Sequence, residues 1–107
     1  MIFSATFNQM ALQHFDYLAQ KTGASQAHSL LTDTISTFAQ RIGTHPHSAP
    51  VCLELSELGL KDYFDYIDSS SQFRIIYRVD KHNIYALLLL NTRQSMERAL
   101  INHCLMI

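Results

Sequence analysis

With 107 residues, of which 48% are hydrophobic, the chain can build one core, and a single compact domain over 1–107 is expected. A net charge of −1 and a charged fraction of 16% exclude a global basic field that would draw the whole chain to nucleic acid. Two cysteines, and an N-terminus (MIFSATFNQM) with no positive region before an apolar run, exclude a disulfide scaffold and a secretory signal, so a cytoplasmic protein is expected.

Ile2 to Phe7 is short, apolar and partly alternating, which predicts an opening strand. Asn8 is placed to cap the next helix, where Ala11, Leu12, Phe15, Leu18 and Ala19 keep helical spacing between Gln9 and Lys21. Gly23 offers the left-handed residue that ends a helix. After a second cap at Ser25, the residues Ala27, Leu31, Ile35, Phe38 and Ile42 recur at steps of four, four, three and four, until Gly43 stops the stripe. A short link between two amphipathic helices predicts an antiparallel hairpin. Thr44 to Pro50, THPHSAP, is a loop by its prolines. Val51 to Gly59 has no clear period and fits a brief strand with a turn at Gly59. Leu60 to Ile67, LKDYFDYI, has strand-like aromatics, and Asp68 to Gln72 is a polar turn.

Phe73 to Val79 alternates. Phe73, Ile75, Tyr77 and Val79 face one way, and Arg74, Ile76 and Arg78 the other. Asp80 to Asn83 makes a hairpin turn. Ile84 to Leu90 is apolar on both faces, as a central strand requires, and its run from Tyr85 is far too short to span a bilayer. Gln94 to Met106 fits a helix with Met96, Ala99, Leu100 and His103 on one stripe, capped by Ser95 or Thr92. The order predicts an α+β fold: an N-terminal strand, an antiparallel helical hairpin packed on a small, mostly antiparallel four-stranded sheet, and a C-terminal helical segment. From Phe73 onward the basic residues Arg74, Arg78, Lys81, Arg93 and Arg98 outnumber Asp80 and Glu97, so the C-terminal third is the basic part.

The words LKDYFDYI, FRIIYRVDKHNIYALLLL and NTRQ, in this order of elements, resemble the RelE/ParE superfamily of bacterial toxins, the toxic halves of type II toxin–antitoxin pairs. In layout the resemblance covers nearly the whole chain, and its specific part is short. It implies a cognate antitoxin as partner, no cofactor, and a homodimer or a toxin–antitoxin hetero-oligomer as permitted assemblies. It also implies one of two targets. ParE-like members inhibit DNA gyrase, and RelE-like members cut messenger RNA in the ribosomal A site.

RNA cleavage must deprotonate a 2′-hydroxyl, stabilise charge on a phosphorane-like transition state and protonate the leaving oxygen. Arginine suits the middle task because its guanidinium forks onto phosphate oxygens. By the resemblance, Arg74 stands where RelE-like members place a phosphate-binding arginine, and Arg93 matches a second one after the last strand. Ala99 stands where some members have a tyrosine, which leaves His103, or Tyr77 or Tyr85 across the sheet, for proton transfer. Arg74, Arg93 and His103 would be the catalytic set of a RelE-like enzyme. Against that branch, the chain has only Lys21, Lys61 and Lys81 as lysines, and phosphate contacts supply most ribosome-type affinity. ParE-like inhibition is a binding event and asks less of single side chains. Arg74, Arg78 and Arg93 are its candidate target contacts, and this branch is the favoured one. A non-toxic partner-binding module is the third reading, from the low charge and Ala99.

Structural roles compete with each of these. Arg74 and Arg78 are about 13 Å apart on one strand face, at roughly 3.3 Å per residue. Asp62 or Asp65 on the neighbouring strand would give them cross-strand pairs worth about 0.2–1 kcal/mol. His45 and His47 flank Pro46, but nothing nearby completes a ligand set, so no metal site is expected. Cys52 and Cys104 read as small apolar core residues. The exposed shoulder of the helical hairpin, with the sheet edge, is where the resemblance places an antitoxin helix or strand.

Overall fold

A computed structural model describes residues 1–92 of the chain. The elements are β1 (Ile2–Phe3), α1 (Ala5–Thr22), α2 (Ala24–Thr44), α3 (Leu53–Glu57), β2 (Tyr63–Asp68), β3 (Phe73–Asp80) and β4 (Asn83–Asn91). The strands lie in the order β1-β4-β3-β2, with β1 parallel to β4 and the other neighbours antiparallel. The expected α+β fold is therefore present, with its N-terminal strand, helical hairpin and mostly antiparallel four-stranded sheet. The helical segment expected over 94–106 lies outside the described residues. Among those described, no helix is long and apolar enough to cross a membrane.

The opening strand is shorter than its apolar pattern predicts, and Ser4 rather than Asn8 caps α1. The Ser4 hydroxyl accepts from the Phe7 backbone N–H at 2.9 Å and donates to the Leu87 carbonyl at 3.0 Å. That second bond meets β4 at a bulge. Ile76 pairs with Leu88 while Tyr77 pairs with Ala86, so Leu87 is the extra residue. Phe7 and Met10, one helical turn apart, are both buried, and their burial together with the serine cap decides residues 5–7 for helix.

Gly23 alone joins the two helices. At φ +93° its N–H donates to the Ala19 carbonyl at 3.0 Å, and its own carbonyl accepts from the Ala27 N–H at 3.1 Å. Ser25 thus lies inside α2 rather than capping it. Gly43 also lies inside α2, which runs on to Thr44. The helix stops there because His45 precedes Pro46, whose ring disfavours helical backbone at the residue before it; His45 sits at φ −132°, ψ 81°. In place of a brief strand over Val51 to Gly59, Val51 makes one antiparallel bridge to Phe64, α3 follows, and Gly59 turns the chain at φ +82°.

The predicted stripe of α2 is the core face: Ala27, Leu31, Phe38 and Ile42 are buried, and Ile35 packs against the core at its margin. Phe38 meets the rings of Tyr66 and Tyr77 edge-on, at 5.3 and 5.5 Å between centroids, and His14 of α1 meets Phe73 in the same way at 4.9 Å. These contacts identify the helix-facing side of the sheet as the one bearing Tyr66, Phe73, Ile75 and Tyr77. Strand register places Asp65, Arg74, Ile76 and Arg78 on the opposite, outer side, with Tyr63, Tyr85, Leu88 and Leu90.

Candidate functional site

The outer side of the sheet collects the arginines of β3. Arg74 pairs in register with Ile67, and Ile76 with Asp65, so Asp65 lies diagonally across from Arg74 on the same face. The guanidinium forks onto this carboxylate. Nε donates to Oδ1 at 3.1 Å, Nη2 donates to Oδ2, and Nη2 also reaches Oε2 of Glu54 from α3 at 3.3 Å. Only 13% of the Arg74 side chain and 14% of that of Asp65 remain exposed. Burial works against the guanidinium's charge, but hydrogen bonds and attraction from Asp65 and Glu54 outweigh it and hold its pKa above the usual value. The cross-strand pairing with Asp65 is thus present, reinforced by a carboxylate from a separate element.

The thiol of Cys52 and the carboxylates of Glu54 and Asp65 lie within 4.8 Å of one another, a spacing that a metal could use. Here Arg74 already supplies positive charge to both carboxylates. Burial pushes the Cys52 thiol up, away from the thiolate that would ligate. In this cluster Arg74 bridges the carboxylates of α3 and β2.

Arg78 is placed differently. Among the described residues it makes no ion pair. Its guanidinium carbon lies 6.0 Å from the Tyr63 ring centroid, at the outer limit of a cation–π contact. Burial raises the Tyr63 pKa, with Arg78 acting in the other direction. Tyr85 is directly opposite Arg78 on β4 and is half-buried. Of the candidate proton donors, Tyr77 is on the wrong side of the sheet. It is fully buried, donates to the Pro46 carbonyl at 2.8 Å, and burial pushes its pKa up to about 12. The structure therefore brings Arg74, Arg78 and Tyr85 to one face and separates Tyr77 from them. Arg93 and His103 lie outside the described residues. Glu54 has no sequence signal that would pair it with Arg74, because the five-residue α3 is too short to show a period. His47 packs edge-on against Phe64 at 5.4 Å, a structural contact for one member of the loop pair.

A family model described as the ParE toxin of type II toxin-antitoxin system, parDE, matches residues 1–96. Among solved structures, the chain is similar to one described as "Chromosomal ParDE TA system from P. aeruginosa", with a TM-score of 0.68 and 13% identity over 83% of this chain and 90% of that one. At that identity the likeness is one of fold. No curated protein matches the sequence. The family match runs through every element described above, from β1 to the end of β4, and the chain belongs to the family of ParE toxins of type II toxin–antitoxin systems.

Proposed function

We propose that the chain acts as the toxin of a type II pair, that it inhibits DNA gyrase by binding, and that a cognate antitoxin neutralises it. Family membership supports the toxin role. The observation that favours binding over RNA cleavage is the state of Arg74. A guanidinium already forked onto Asp65 and held by Glu54 has no free fork for a scissile phosphate. Tyr77, on the other side of the sheet with a pKa of about 12, is not available as its proton-transfer partner. Inhibition by binding needs only a complementary surface. In this reading Arg78, together with Arg93, makes the cationic contacts, and Arg74 supports the strand that carries Arg78.

The test is gyrase supercoiling with the purified full-length protein. Inhibition that saturates with toxin is expected, and Arg78→Ala should raise the half-inhibiting concentration about tenfold, equivalent to ~1.4 kcal/mol of contact. Supercoiling that stays unaffected over a wide concentration range would overturn the reading. Pulse labelling after induction without the antitoxin then separates the alternatives. A fall in protein synthesis before DNA synthesis points to message cleavage, and no fall in either points to a non-toxic module.

A further inference from the structure

One row of side chains crosses the outer side of all four strands. It runs from Ile2 on β1 through Tyr85 on β4 and Arg78 on β3 to Tyr63 on β2, each directly opposite the next. Arg78 is the charged member of this row and stands between two aromatic residues. Opposed side chains in a sheet have Cβ atoms about 4.5–5.5 Å apart, so large neighbours on both strands restrict the rotamers open to an arginine. The two neighbours differ in kind. Tyr63 is 3% exposed, and its backbone carbonyl accepts the Cys52 N–H at 2.8 Å, so its ring is a fixed wall near the sheet edge. Tyr85 is half-buried. The guanidinium lies on the Tyr63 side, with its carbon 6.0 Å from the ring centroid. Among the described residues no carboxylate holds it. Asp65, on the same face, is forked onto Arg74, and neither Asp62 nor Asp80 forms an ion pair with Arg78. Along β3, Ile76 and its partner Leu88 fill the next outer row and are fully buried, while in the other direction the strand ends at Asp80.

We infer that Tyr63 is a positioning residue for Arg78. Its buried ring holds the guanidinium in one direction, so that a binding partner meets an arginine whose rotamers are already restricted. Ordering a long side chain at an interface costs affinity, and a guanidinium held beforehand avoids part of that cost. The ring does the holding, through its face, and Tyr63 itself is too deeply buried to touch the partner. The inference rests on the proposed role of Arg78 in target binding, and the first of its two tests is independent of that role.

That test is ¹⁵N relaxation of the Arg78 Nε–H group in the full chain, made by cell-free synthesis, with exposed Arg41 as the reference. Arg78 should be the more ordered of the two. Tyr63→Leu, which removes the aromatic face, should bring Arg78 to the level of Arg41, and Tyr63→Phe should leave it unchanged. The second test is the half-inhibiting concentration in gyrase supercoiling, read well below the unfolding midpoint of every variant. Tyr63→Leu should raise it about fourfold and Tyr63→Phe by less than about twofold. Added to Arg78→Ala, Tyr63→Leu should have no further effect, a silence that a merely loosened sheet would not give. Arg78 as mobile as Arg41 in the wild type, or still ordered in Tyr63→Leu, overturns the inference whatever gyrase does. So does a full Tyr63→Leu effect in the Arg78→Ala background. If the relaxation results are as expected and the wild type leaves gyrase unaffected, the gyrase reading falls and the positioning of Arg78 by Tyr63 stands.

Discussion

The two sides of the sheet solve the same problem, covering β3, by different physics. On the helix side, Phe38 of α2 packs on Tyr66 and Tyr77, and the Tyr77 hydroxyl donates to the Pro46 carbonyl. On the outer side, a partly buried guanidinium is held by Asp65 and by Glu54 from α3. Aromatic packing contributes through area and contact and needs no partner of opposite charge. The Arg74–Asp65 pair contributes only while complete, since each partner offsets the desolvation of the other. The comparison teaches which side can carry function. The helix side rests chiefly on packing, whereas the outer side must keep Arg74 engaged and, among the described residues, leaves Arg78 without an ion pair.

The largest expected effect is on the helix side. Phe38→Ala removes a fully buried ring that touches two others, and should cost about 3–5 kcal/mol in denaturant unfolding. A loss below about 1 kcal/mol would mean that α2 does not hold the sheet through this ring.

Next comes Asp65→Ala, which leaves Arg74 partly buried and uncompensated. A loss of about 3 kcal/mol is expected, and it should persist in high salt because the pair is shielded from solvent. The double variant Arg74→Met with Asp65→Leu sharpens the point. Apolar replacement of both partners should return stability to within about 1 kcal/mol of wild type, and under the proposed gyrase reading inhibition should survive with it. If the double variant folds normally but no longer inhibits, Arg74 touches the target itself.

His14 sets a titratable group against the same contrast. It lies on the helix side, against Phe73, with Nε2 2.9 Å from the Leu89 carbonyl. Burial lowers its pKa from 6.5, although the bond to Leu89 works the other way. The unfolded chain therefore takes up this proton first as pH falls. His14 contributes stability that is complete above pH 6.5 and declines as pH drops from there toward its folded value. Denaturant midpoints measured from pH 8 to pH 5 should fall less steeply for His14→Gln than for wild type. An unchanged slope would show that other groups control the acid response.

How much of this was legible beforehand differs between the two sides. The alternation from Phe73 to Val79 already assigns β3 side chains to faces, and the stripe Leu31, Phe38, Ile42 already marks the side of α2 that meets them, because both patterns are local and periodic. The Asp65–Arg74 pairing was one of two cross-strand options, since strands joined by a short turn must lie side by side. Glu54 was not legible, because it arrives from a helix too short to have a period. Nor was the role of Ser4, whose hydroxyl meets a carbonyl 83 residues away at a bulge that no local pattern announces. What escaped the sequence in each case was a contact between elements, and such contacts decide whether an arginine is a tool or a brace.

The smallest expected effect tests whether that brace is a pair or a triad. Glu54 makes one contact to Arg74, at 3.3 Å, and 45% of its side chain is exposed. With Asp65 still forked onto the guanidinium, Glu54→Gln removes a charge that water already screens. The cost should be about 0.5 kcal/mol or less, and it should vanish near 1 M salt, where screening acts within about 3 Å. A loss as large as that of Asp65→Ala would mean that α3 is held to the sheet by its charge rather than by buried Leu55 and Cys52. The outer side would then be a single three-membered ionic unit, and every substitution within it, the double variant included, should be read as moving α3.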